Sequence, residues 1–146
     1  MSFQSLVPVL ITLQFVAFGW RINREIVVGD EKRRTWLPVS DCVNILSLLS
    51  VVSLCMVWPL ATGEFNRGAK TALAIGYTLL ALHPINMAAH YRLFSKAGRS
   101  IYLKTSDNYP YITEGDYPYI TDQEARLLPI SSVLATVVGC IVWHAA

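Results

Sequence analysis

Residues 42–63 read CVNILSLLSVVSLCMVWPLATG, 22 positions without one Asp, Glu, Lys or Arg. Backbone amides taken out of water must be paired within their own segment, and a stretch this long and apolar pairs them as one helix able to cross a bilayer. Three more charge-free windows flank it, at 1–20, 71–91 and 127–146, of 20, 21 and 20 residues. The 12 basic and 10 acidic residues of the 146-residue chain all fall in the segments between, residues 21–41, 64–70 and 92–126. The pattern predicts an all-α integral membrane protein: a four-transmembrane-helix bundle forming a single membrane domain over 1–146, with helices at about 4–20, 42–62, 71–91 and 127–145.

Composition agrees. Hydrophobic residues make up 53% and charged residues 15%, with a mean hydropathy of +0.42. That is too apolar for an ordinary soluble domain and too poor in charge for a disordered chain. A formal net charge of +2 gathers no nucleic acid, so the bilayer is the first partner expected. Cys42, Cys55 and Cys140 lie inside apolar windows without metal-ligand or redox spacing, and read as small packing residues; no metal or cofactor is expected. The first window lacks a basic leader and a small-residue cleavage pattern, so it reads as a retained helix.

Sidedness follows from the loops. The first carries Arg21, Arg24, Lys32, Arg33 and Arg34; the second only Arg67 and Lys70; the third Arg92, Lys96, Arg99, Lys104 and Arg126. By the positive-inside rule, loops 21–41 and 92–126 are cytoplasmic and both termini lie on the other face. Trp20, Trp36, Trp58 and Trp143 sit near span ends, where an amphipathic ring anchors in the headgroup zone. Helix two is expected to be capped by Ser40 or Asp41, helix four by a capping box at 121–124, with a kink at Pro129.

Small residues mark where backbones can approach in lipid. On helix four, Ser131, Ala135 and Gly139 recur every four residues and form a packing or oligomer face. On helix two, Asn44, Ser47, Ser50 and Ser53 recur every three and make a polar stripe that suits a protein neighbour or a pore. Helix three carries His83, Asn86 and His90 on one face, beside Pro84; of these, His83 and Asn86 join the candidate polar face. No Asp, Glu, Lys or Arg is expected inside the membrane.

The third loop holds Tyr-Pro-Tyr-Ile-Thr twice, at 109–113 and 117–121. Its alternation of aromatic and β-branched residues between turn signals predicts a small extended, β-like cytoplasmic loop between helices three and four. Tyr109, Tyr111, Tyr117 and Tyr119 are the candidate partner-docking residues. No phosphate loop, zinc-protease motif or nucleophile elbow occurs, and no catalytic residue is assigned. In size and orientation the chain is similar to small four-helix membrane enzymes that handle glutathione and lipid electrophiles, yet their Arg-x-x-Asn-x-x-Glu cluster is absent.

The expectation is therefore a non-enzymatic membrane protein acting through association, either with itself as a homo-oligomer or within a larger membrane complex. One alternative is an oligomeric pore lined by the helix-two stripe. A second is a redox or lipid-modifying enzyme built on His83 and His90.

Overall fold

A computed structural model describes residues 3–30, 38–90, 93–95 and 121–145. Four helices carry it: α1 (Phe3–Asp30), α2 (Val39–Thr62), α3 (Arg67–His90) and α4 (Asp122–Ala145). Each contains a stretch long and apolar enough to cross a membrane, which in α1 is Gln4–Asn23. No strand occurs among the described residues. The extended loop expected around Tyr109, Tyr111, Tyr117 and Tyr119 lies outside them.

The helices run past the charge-free windows. α1 continues to Asp30, α2 starts at Val39, α3 at Arg67 and α4 at Asp122. Charge sets where a helix can sit in lipid, whereas the backbone ladder continues as long as its own hydrogen bonds close.

The ends show how. Pro38, not Ser40 or Asp41, precedes α2; its carbonyl accepts the amides of Asp41 at 3.0 Å and Cys42 at 3.1 Å. Ser40 and Asp41 lie inside the first turn, leaving their side chains for other helices. Gly63 closes α2 at φ 75° and donates its amide to the Pro59 carbonyl at 2.8 Å. Asn66 caps α3, its Oδ1 accepting from the Ala69 amide at 3.0 Å. Thr121 caps α4, its Oγ1 accepting from the Glu124 amide at 3.2 Å, while the Glu124 side chain turns to Ser40 and His90 and leaves the capping box half-made.

α2 is α-helical over Val39–Val52 and Trp58–Thr62, with a π-helical turn at Ser53–Val57 between. Pro59 accounts for it. Its ring has no N–H and would strike the carbonyl four residues back, and the ladder widens so that the Trp58 amide reaches Ser53. The turn places Cys55 inward, where Sγ donates to the Ala69 carbonyl at 3.1 Å.

α3 is the hub, packing most extensively on α4, then on α2, with α1 laid against both α2 and α3. Near the α2–α3 turn the interior is apolar: Val7 and Leu10 of α1, Val51 and Cys55 of α2, and Ala69 and Leu73 of α3. Two glycines permit this approach. A Cβ on Gly76 would stand 2.9 Å from both Leu10 Cδ2 and Val51 Cγ2, and one on Gly139 would stand 2.8 Å from Ile75. Tyr77 closes that end by donating its hydroxyl to the Leu6 carbonyl at 2.8 Å.

Candidate functional site

The opposite half of the interior is polar. Buried there are Gln14 and Arg21 of α1, Ser40, Asp41, Asn44 and Ser47 of α2, and His83, Asn86 and His90 of α3. Thr121, at the start of α4, and Glu124 and Ser131 within it complete the set. On each helix the polar run spans seven residues or so, hence a layer about 10 Å deep.

Two carboxylates organise the layer. Asp41, 1% exposed, receives the Arg21 guanidinium at 2.9 Å on Oδ2 and has His83 Nε2 3.3 Å from Oδ1. This joins α1, α2 and α3. Glu124 is fully buried; its Oε1 accepts from the Ser40 amide at 3.0 Å and the Ser40 hydroxyl at 2.8 Å, while His90 Nδ1 lies 2.8 Å from Oε2. That joins α2, α3 and α4. Thr121 adds a bond from its hydroxyl to the Ala89 carbonyl at 2.9 Å. The two groups act as one clasp, and it draws on every helix.

These charged groups stand at the ends of the apolar spans, just outside the charge-free windows. Arg21 is expected in a loop, and Asp41 and Glu124 at exposed helix starts; each lies on a helix and turns inward. A charge in a low-dielectric interior is expensive unless paired and hydrogen-bonded, and the partners above provide that pairing.

Deeper in, Gln14 Nε2 donates to Asn44 Oδ1 and to Ser47 Oγ, both at 3.3 Å. On the α4 side, Ser131 donates to Asn86 Oδ1 at 3.0 Å. Further toward the apolar end, Leu10, Val51 and Leu73, 0%, 0% and 2% exposed, close the interior.

The helix-two stripe therefore divides. Asn44 and Ser47 face α1, whereas Ser50 and Ser53 are exposed, the Ser50 hydroxyl bonding back to the Leu46 carbonyl at 2.8 Å. Ser131, Ala135 and Gly139 are buried along α4, and the contacts of Ser131 and Gly139 are with α3. His83 and Asn86 enter the polar layer, and His144 is exposed. Among the described residues no three His, Cys, Asp or Glu side chains converge as a metal ion would require.

Arg21, Ser40, Asp41, Gln14 and Glu124 were missed as site residues, although the register held a signal. Glu124, Leu128, Ser131, Ala135 and Gly139 step by four, three, four and four along one face of α4. Asp41, Asn44, Ser47, Val51 and Cys55 step by three, three, four and four along one face of α2. No protein-family model, curated protein or solved structure matches the chain.

Proposed function

We propose that this chain is a multi-pass membrane protein that acts through association, as a subunit whose own bundle is held by the clasp and whose outer surface receives a transmembrane helix of a neighbouring subunit. The observation that carries the reading is a groove of about 510 Å³ between α2 and α3, with Trp143 of α4 at its edge. Its walls are apolar, including Leu46, Leu54, Ile75 and Leu79, and its floor is small, with Gly68 and Ala72 one helical turn apart. The Thr71 hydroxyl beside them is buried and has no hydrogen-bond partner among the described residues. Small residues one turn apart let a second helix backbone approach closely, which an acyl chain does not require.

The clasp end faces the cytoplasm in this reading, because the segments joining helices there carry most of the basic residues. The pore alternative is supported less well, since Asn44 and Ser47 are engaged with Gln14 inside the bundle. The histidine-based enzyme is also weaker, as His83 and His90 each engage a carboxylate.

A photoreactive benzoylphenylalanine at Leu46, in the groove, compared with one at Val137, exposed on α4, tests the proposal in native membranes. A protein adduct of defined mass from position 46 and none from 137 is the expected result, and mass spectrometry then distinguishes a second copy from another subunit. Lipid adducts alone at both positions would overturn it.

A further inference from the structure

Gln14 is 1% exposed, and its Oε1 has no hydrogen-bond donor among the described residues. Turning the amide over does not help. The nitrogen faces Asn44 and Ser47, so exchanging the two atoms only moves the unmet group from acceptor to donor. A buried amide with one unmet group is costly, and native interiors satisfy such groups with ordered water.

The surroundings say where that water comes from. Gln14 and Arg21 are seven residues apart on the inward face of α1, and the residues between them on that face are Ala17 and Phe18, both half-buried. Beyond Gln14 the path is shut, because Gly76 brings α3 against Leu10 and Val51, with Ser47 Oγ 3.4 Å from where its Cβ would be. The polar layer is thus continuous with the clasp and sealed on the apolar side.

We propose that Gln14 holds a buried water molecule, the innermost of a hydrated layer that extends from the Arg21–Asp41–His83 group to Gln14 and ends at Leu10, Val51 and Leu73. The ligand is water rather than a cation, because the Gln14 amide already points its donor nitrogen at the two nearest oxygens, Asn44 Oδ1 and Ser47 Oγ, which a cation would need for itself. The bundle interior is then hydrated for part of its depth and dry for the rest. This inference does not depend on the association proposed above.

Water-edited solid-state NMR on the labelled full-length protein in lipid bilayers tests it. Magnetisation from water should reach the Gln14 side-chain amide on the same timescale as the Asp41 carboxylate, and several-fold faster than the Leu10 and Val51 methyls. Transfer to Gln14 as slow as to Leu10 and Val51 would overturn the proposal. In Gln14→Leu, transfer to the Asn44 side chain should slow several-fold; an Asn44 signal that stays fast in the folded variant would show that Gln14 is not the holder. If that variant does not fold, the wild-type comparison still decides.

Discussion

Asp41 is held from two sides, since one carboxylate answers a guanidinium from α1 and an imidazole from α3. Removing one partner of a buried pair leaves the other charge desolvated, which costs more than the pair itself contributes. Asp41→Leu is therefore expected to destabilise the protein by about 3–5 kcal/mol in reversible SDS titration, and adding Arg21→Met should recover a substantial part of that loss. A double variant at least as unstable as the simple sum of the singles would mean that the two charges do not act as a pair. The cysteines give an independent reading at this scale. Cys42 and Cys140 are exposed and Cys55 is buried. Burial removes Cys55 from contact with reagent, so peptide mapping of the protein labelled with maleimide in detergent should show no adduct at Cys55 until the protein is unfolded.

Helix contacts turn on two glycines that differ in what faces them. Gly76 meets Leu10 of α1 and Val51 of α2, so two helices must give way; Gly139 meets Cδ1 and Cγ1 of Ile75, with Thr71 behind it, all on α3 alone. Both alanine variants should be destabilising, at about 1–3 kcal/mol for overpacking, with Gly76→Ala the costlier; chemical or SDS unfolding reads the order. The reverse order would mean that α3 and α4 cannot slide to accommodate a methyl. The four helices were legible because a run of twenty or so uncharged residues admits little else. The small-residue face of α4 was legible as a packing face, while its partner was not, because spacing names a face and not what lies across it. Asp41 and Glu124 were illegible as interior residues for a specific reason: a charge at the rim of an apolar window reads as the end of the span. Their register with Asn44 and Ser47, and with Ser131 and Ala135, carried the opposite information. The π-helical turn at Ser53–Val57 was hidden as well, since Pro59 near a helix exit predicts a break as readily as a widened turn.

At the scale of the molecule, polarity is divided along the bundle axis: an ionic clasp at the end where α1 leads to α2 and α3 to α4, an apolar plug at the end with the α2–α3 turn and the Tyr77–Leu6 tie. The basic residues follow the same division. Arg67 and Lys70 alone stand by the plug, and the rest lie on or beside the segments at the clasp end. Since short flanking segments rich in Lys and Arg are retained on the cytoplasmic side during insertion, the clasp end should face the cytoplasm, where anionic headgroups add about 1 kcal/mol per basic residue near the surface. Orientation can be read with single cysteines in a cysteine-free background. Glu64→Cys, in the α2–α3 turn, should react with a membrane-impermeant maleimide on intact cells, and Thr35→Cys, between α1 and α2, only after permeabilisation. The opposite labelling would invert the protein and place the hydrated half of its interior in contact with the outside. Equal labelling at both sites in intact cells would show two populations, and charge would then not be what decides the insertion.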